Sequence, residues 1–371
     1  MVLANDFRRQ WEDVRADVLG AVEEAGSGGV YVLGDRVRGF EAALAARWGL
    51  AHAAGTGSGL DALQIALRIL GCGPGDRVLT TPLSAFASAL AIVKLGAIPV
   101  FVDTDERGLI DLERCRELLR RRPDIRFFLP VHLYGHALDL TALDGLRREF
   151  DVLMVEDCAQ SLGASFRGRA TGTAGQLAAT SFYPTKNLGA MGDGGAILTN
   201  DARHDAHARV LRFYGETARY HHTEIGWNSR LDEVQAAILE RAFLPRLEGW
   251  LARRRAVAEA YTLGIRNADV RLPGMAEGSD SSWHLFPIFV APDRRGAFME
   301  HMQAHGVMTG IHYPTAIPDQ PVMRDVAHEM AGDCAVARRL CASEVSLPVH
   351  PYLSDAEVEK VVAAVNRWPQ S

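Results

Sequence analysis

The stretch VLMVEDCAQSLGASFRGRATGTAGQLAATSFYPTKNLGAMGDGG, residues 152–195, carries the reading on which the rest of the chain depends. It opens on an apolar run, Val152 to Val155, and turns acidic at once in Glu156 and Asp157. A short aliphatic run bounded by turn residues predicts a buried strand. In an open α/β sheet, ligands sit outside the carboxyl ends of the strands. A carboxylate at that point, Asp157, is therefore offered to a ligand rather than to the core. The stretch then reaches Lys186, in a polar and glycine-rich setting after Ser181, Phe182, Tyr183, Pro184 and Thr185.

A lysine in a pocket can form a Schiff base with a carbonyl, and a pyridoxal ring needs an acid partner on its pyridine nitrogen. Lys186 and Asp157 supply those two roles. An ionised carboxylate keeps the ring nitrogen protonated, and the cationic ring accepts the electrons left when a Cα proton is removed. The lysine holds the aldehyde, gives way to an incoming amine and is then free to move the proton.

At these residues the sequence resembles the DegT–DnrJ–StrS family of pyridoxal-phosphate sugar aminotransferases. VEDCAQSLGA and SFYPTKNLGAMGDGGAILTND carry the likeness first. GSGLDALQIALRILGCGPGDRV at 57–78, GAIPVFVDTD at 96–105, VHLYGH at 131–136 and GWNSRLDEVQAAIL at 226–239 extend it, followed by WHLF at 283–286, HYP at 312–314 and SLPVHP at 346–351. These segments keep the family's order and nearly its spacing from about residue 30 to the end. The resemblance implies an α/β architecture of fold type I, with a mostly parallel sheet flanked by helices in a large domain (1–245) and a smaller α+β domain (246–371).

The resemblance also implies roles for further residues. A glycine turn opening a helix near Leu60 suits a phosphate, because helix N-termini present free N–H groups and a positive dipole end. Gly57 and Ser58 are the expected phosphate contacts, with Ser181 as a side-chain donor; the structural alternative for Ser58 is a plain N-cap. Gly55, Gly57 and Gly59 are spaced GxGxG, which is not the GxGxxG dinucleotide fingerprint. Gln160 is expected at the ring's phenolic oxygen, or else bonded to backbone. Most members stack a flat side chain on the ring at the position aligned here with Ala85; the neighbouring Phe86 is the stacking candidate, or an ordinary core phenylalanine.

Asn228, in G-x-N-x-R, matches a residue that crosses a dimer interface to the neighbouring cofactor phosphate, so a symmetric homodimer is expected. Its alternative is an N-cap for a helix over 231–243. The His221–His222 pair resembles a loop that extends toward the neighbouring subunit. Tyr183, His312 and Tyr313 are the substrate candidates, and His284 lies in the same family-typical set. The implied substrates are L-glutamate and a nucleotide-linked keto sugar, most like a dTDP-3-keto-6-deoxyhexose aminated at C3. Members acting at C4 or on aminocyclitol ketones more often carry GEGG where this chain has Gly192-Asp193-Gly194-Gly195. Members that are sugar dehydratases put histidine at the lysine position, which Lys186 argues against. A catalytically idle regulator of this fold would have lost Lys186, Asp157 or the phosphate turn.

Composition excludes other classes. The chain has 371 residues, 48% hydrophobic and 23% charged, with a formal net charge of −6. That length builds two or three domains with ample core. The charge leaves no basic footprint for nucleic acid. No apolar run approaches the roughly 20 residues that span a bilayer, and MVLANDFRRQWEDVRADV lacks the apolar core of a signal peptide. Five dispersed cysteines without a CxxC pair predict reduced thiols in a cytoplasm. Cys158 reads as a small buried hydrophobe rather than a reactive thiol. His132, Tyr134 and His136 lack the further ligands of a zinc site, so no metal is expected.

Helices are predicted at 6–25, 201–215, 293–305 and 354–367, and a charged hinge helix at 244–255. SSWHLFPIFVAP and MTGIHYPT are predicted as strands of a small sheet.

Overall fold

The computed structural model describes residues 1–370. Its centre is an eight-stranded sheet. In spatial order the strands are His52–Thr56, Gly195–Thr199, Leu177–Ser181, Leu153–Asp157, Ile125–Leu129, Arg77–Thr80, Ile98–Val102 and Glu329–Ala331. Only Gly195–Thr199 runs against its neighbours; the remaining pairings are parallel.

Side chains alternate faces along each strand, and the cores follow that alternation. Val155, Phe127 and Leu129 pack with Leu63, Ile65 and Ile92 from the helices Gly59–Ile69 and Phe86–Lys94. Met154 and Phe128 pack on the opposite face, with Leu118, Leu119, Leu143 and Leu146 from the helices Leu112–Arg121 and Leu140–Phe150. Burial on both faces is what makes these strands near-continuous apolar runs.

The same alternation separates the two acids at the strand's end. Asp157 shares the face of Val155, and Glu156 shares that of Met154.

The predicted helices are present as Phe7–Gly28, Ala202–Leu211, Arg295–Ala304 and Asp355–Asn366. The first presents Val14, Val18, Ala21 and Ala25 inward at helical spacing and is capped by the Asp6 side chain. The hinge segment is a 3-10 turn, Leu244–Arg246, running into the helix Leu247–Gly264.

A second layer forms around the antiparallel pair Phe286–Phe289 and Glu344–Leu347, packed against that helix, Arg295–Ala304 and Asp355–Asn366. The partner of Phe286–Phe289 is thus Glu344–Leu347, and the 308–315 segment, predicted as a strand of this small sheet, is not a strand. That segment makes one bridge, Gly310 to Ser346. The strand Glu329–Ala331, which follows the 245/246 division, completes the edge of the large sheet beside Ile98–Val102. Among the described residues no helix is long and apolar enough to cross a membrane.

Candidate active site

A cavity of about 390 Å³ opens at the carboxyl edge of the large sheet, where Asp157, Ser181 and Lys186 share a wall with His284, His312 and Tyr313 from the second layer. Asp157 ends its strand and is buried. Its Oδ2 accepts from Ser88 Oγ at 2.8 Å and its Oδ1 from the Ala159 N–H at 3.0 Å. Burial pushes its pKa up, against the pull of the Ala159 N–H, the Ser88 hydroxyl and the Lys186 charge. Such a carboxyl is most favourably ionised when a cation faces it.

Lys186 sits in the turn after the Leu177–Ser181 strand, its N–H bonded to the Tyr183 carbonyl at 2.8 Å. Burial lowers its pKa to about 8, while the Asp157 charge works the other way. An amine in that range is readily available as a neutral nucleophile and base.

The helix Gly59–Ile69 starts at this cavity. Gly59 and Leu60, its first two residues, line the wall, and Ser181 faces them. A Cβ on Gly59 would lie 2.6 Å from Ser181 Cβ, so only glycine lets the two segments approach this closely. The expected contacts Gly57 and Ser58 are otherwise engaged. The Ser58 side chain caps the helix by accepting from the Asp61 N–H at 3.1 Å, and the Gly57 N–H donates to Ser229 Oγ at 2.9 Å. The groups free to meet an anion are the opening N–H groups of the helix, one and two residues beyond Ser58.

Gln160 lines the cavity, but its amide is held on both sides. Oε1 accepts from the Tyr134 N–H at 2.7 Å, and Nε2 donates to Tyr313 Oη at 3.1 Å. Tyr183 stands on the wall with half its surface open. Phe86 is a correction. Ala85 and Ala87 line the cavity, and Phe86 packs with Phe101, Ile317 and Met323 instead. The helix Phe86–Lys94 begins at that residue, and each helical step turns the side chain by about 100°, which carries Phe86 away from the cavity flanked by its neighbours. Asn228 is exposed and lies outside this chain's cavity wall. It does not cap the helix after it; Asp232 occupies that N-cap position.

Glu156, on the other face, is a structural acid. His132 Nδ1 accepts from the Leu138 N–H at 3.1 Å, so Nε2 carries the proton and meets Glu156 Oε2 at 2.8 Å. The N–H groups of Gly172, Ala174 and Gly175 complete the shell at 2.9, 2.7 and 2.6 Å. Burial pushes Glu156 up, yet its hydrogen bonds bring it below the usual carboxylate range. Cys158 adds a sulfur within 4.8 Å of these ligand atoms. Burial drives its thiol well above the ordinary range, and the neighbouring His and Glu atoms are already committed.

Sequence reasoning missed four polar lining residues. Ser84 and Ser346 carried no signal of their own, and Asn5 belongs to an N-terminal segment that reads only as helix lead-in. Arg254 looks like one more basic residue of the hinge helix. In the fold it is buried and donates to the Trp283, His284 and Val349 carbonyls at 3.2, 3.3 and 2.6 Å. Among the described residues it has no carboxylate partner. Burial lowers it to about 10, which leaves it cationic at neutral pH.

These residues fit pyridoxal phosphate. The cavity offers a lowered amine, a carboxylate buried across from it, and a helix start whose side-chain-free Gly59 leaves a cradle for phosphate beside Ser181. Fold and cavity together define a pyridoxal-phosphate enzyme of fold type I. A family model described as the DegT/DnrJ/EryC1/StrS aminotransferase family matches residues 12–366, and the chain belongs to that family.

It is 40% identical to the dTDP-3-amino-3,4,6-trideoxy-alpha-D-glucose transaminase of Streptomyces venezuelae, over 98% of this chain and 95% of that one. It is 35% identical to a UDP-N-acetyl-3-dehydro-alpha-D-glucosamine 3-aminotransferase of Acidithiobacillus ferrooxidans, over 98% of this chain and 96% of that one. Among solved structures, the X-ray crystal structure of S. venezuelae DesV in complex with a ketimine intermediate superposes with a TM-score of 0.93 at 40% identity, covering 99% of this chain and 98% of that one. The chain is a pyridoxal-phosphate-dependent aminotransferase.

Proposed function

We propose that this aminotransferase moves the amino group of L-glutamate to the C3 keto group of a dTDP-linked 3-keto-6-deoxyhexose, in the making of a deoxyamino sugar. The observation that carries the reading is the 40% identity, over nearly the whole chain, to a transaminase named for a dTDP-3-amino sugar, joined to a cavity in which Lys186 and Asp157 share a wall with His312 and Tyr313.

Lys186 would anchor the cofactor aldehyde, Asp157 would meet its ring nitrogen, and the Gly59 and Leu60 N–H groups with Ser181 would receive its phosphate. Once bound, pyridoxal phosphate supplies an electron sink for the pair left when a Cα proton departs. Lys186 Nζ would be the group that moves that proton, since its lowered pKa keeps the neutral form accessible. Asp157 holds a proton on the ring nitrogen by its charge, and Ser88 and the Ala159 N–H keep its carboxylate aimed. Arg254 gives the cavity a second cation with no acid partner among the described residues, which suits the carboxylates of glutamate or a diphosphate. Amino donor and keto sugar use the site in turn, as a ping-pong cycle requires.

The working unit in this reading is a homodimer, with the exposed Asn228 reaching the neighbouring cofactor phosphate. The segment bearing it is bolted to the helix start: Ser229 Oγ accepts from the Gly57 N–H and donates to Asp61 Oδ2 at 2.7 Å. A second reading, a UDP-linked 3-keto sugar as acceptor, is favoured by the 35% relative named for such a substrate.

The test is spectral. Cofactor-loaded protein mixed with glutamate is expected to lose its visible band, and a dTDP-3-keto-6-deoxyhexose to restore it. Restoration only by a UDP-linked sugar, a 4-keto sugar or an aminocyclitol ketone moves the substrate. No response to glutamate overturns the reading.

A further inference from the structure

Glu344 is fully buried at the start of the strand Glu344–Leu347, with no ion-pair partner among the described residues. Its Oε2 accepts from the His312 N–H at 2.6 Å, and its Oε1 is bonded to Ser346 Oγ. Glu344 and Ser346 are two apart on one strand and so share a face. Ser346 Oγ in turn lies 2.9 Å from His312 Nδ1. Ser346 and His312 both stand on the cavity wall. The other ring nitrogen, His312 Nε2, has no partner within the protein among the described residues.

We propose that Glu344 and Ser346 are positioning residues that decide which ring nitrogen of His312 carries its proton, and that they hold Nε2 as a hydrogen-bond donor to an acceptor oxygen of the substrate. The proposal rests on the cavity being the aminotransferase site described above.

The chain of bonds has two self-consistent states. With Glu344 as a carboxyl, its Oε1–H donates to Ser346 Oγ, and the Ser346 hydroxyl donates to His312 Nδ1. The imidazole proton is then on Nε2, facing the cavity. With Glu344 as a carboxylate, the Ser346 hydroxyl donates to Oε1 and must accept from His312 Nδ1–H. Nε2 is then a bare lone pair. Going from the first state to the second releases one proton to water from Nε2, while one proton moves from Glu344 to Ser346 and another from Ser346 to Nδ1. A serine hydroxyl has a single proton and two lone pairs; for a neutral ring, the remaining assignment, in which Ser346 accepts from both neighbours, leaves its own proton without a partner in this chain of bonds.

Two features put the first state in force at neutral pH. The ring is neutral, because burial, helped by the nearby Lys186 charge, lowers His312 to about 4. Glu344 keeps its proton, because burial raises it to about 8 against the pull of Ser346, the His312 N–H and the Arg295 charge. The other groups acting on this cluster are Tyr134, Tyr313 and Cys341, all raised by burial, and His284, lowered well below its ordinary value by burial; all four are neutral in this range. Lys186 titrates near the same pH as Glu344, so the test must separate the two.

The direct readout is the tautomer. Protein labelled with 15N-histidine is followed by NMR from pH 6.5 to 9.5, with His312 assigned by the signal missing from His312→Gln. The wild type is expected to show Nε2–H at the low end and Nδ1–H at the high end. Glu344→Gln, whose amide donates as the carboxyl does, is expected to stay Nε2–H throughout, and Ser346→Ala to lose the pH-coupled change.

In kinetics, KM for the keto sugar is expected to rise at least threefold above pH 8 in the wild type and to stay level in Glu344→Gln. The glutamate half-reaction, which Lys186 governs, is expected to follow one pH profile in both. A His312 tautomer that does not change with pH in the wild type, or changes equally in Ser346→Ala, overturns the proposal. The tautomer is read whether or not any keto sugar reacts, so it stands apart from the substrate reading.

Discussion

Ser88 Oγ lies 2.8 Å from Asp157 Oδ2, and the two come from different elements 69 positions apart. The serine sits in the first turn of the helix Phe86–Lys94 and the acid at the tip of the central strand Leu153–Asp157. Sheet alternation sends Asp157 to the face that this helix covers. A buried carboxylate so held cannot swing away from a cationic ring nitrogen. Ser88→Ala removes one hydrogen bond to a charged group, worth about 1.5–3 kcal/mol. Steady-state kinetics are expected to record a loss of roughly ten- to hundredfold in kcat, with Asp157→Asn lower still.

Lys186→Ala is expected to abolish turnover and, in cofactor-soaked protein, the visible band of the lysine-bound form. The hydrogen bonds that hold Asp157 would stay intact, so circular dichroism should match the wild type. An active Lys186→Ala protein would sink the assignment of the nucleophile.

Gly59→Ala forces a methyl to 2.6 Å from Ser181 Cβ. Overpacking of this kind costs about 1–3 kcal/mol, here at the phosphate cradle. Cofactor retention through dialysis, read by absorbance, is expected to fall at least about tenfold, with a small change in melting temperature. Undiminished retention would remove the helix start from the phosphate site.

Asn228→Ala tests the second subunit. Since Asn228 is exposed and off its own cavity wall, a monomeric site predicts no effect. The dimeric reading predicts weaker cofactor retention in protein that still sediments as a dimer. Ultracentrifugation and absorbance on one sample decide between them.

The buried histidines should lower stability in acid, against an opposing contribution from Glu344, whose raised pKa favours the folded state as pH falls. Burial lowers His136 to about 3, and His312 and His350 to about 4. A folded-state value below the unfolded one, about 6.5, means that the unfolded chain binds protons more readily. The stabilisation is complete above pH 6.5 and is lost as pH falls toward 4. Each group contributes a slope of up to ~1.4 kcal/mol per pH unit in that window. Denaturant titrations at pH 7 and pH 5 are expected to give a lower midpoint at pH 5, and a smaller drop in His136→Gln. Equal midpoints would refute the three-histidine account.

The reading of Asp157 and Lys186 needed only the local sequence, because both lie in one stretch: a buried strand ends, an acid follows, and a glycine-rich turn brings a lysine back. The helix start near Leu60 was legible in the same way, being a local event, although the expected contacts Gly57 and Ser58 are engaged elsewhere. Everything that depended on direction was not. Glu156 and Asp157 are adjacent letters, and only pairing in the sheet sends one to His132 and the other to the cavity. Phe86 and Ala85 are adjacent too, and the onset of a helix between them turned the phenylalanine into a separate core.

The partner of Phe286–Phe289 lies more than fifty residues on, at Glu344–Leu347, and no local pattern names it. That pairing is also what lays Glu344 and Ser346 beneath His312. Sequence by itself determined most of the elements, the two candidate catalytic groups and the family. Tertiary structure alone decided the faces, the partners and which polar atoms meet, because these are set by sheet register and packing between segments far apart in the chain.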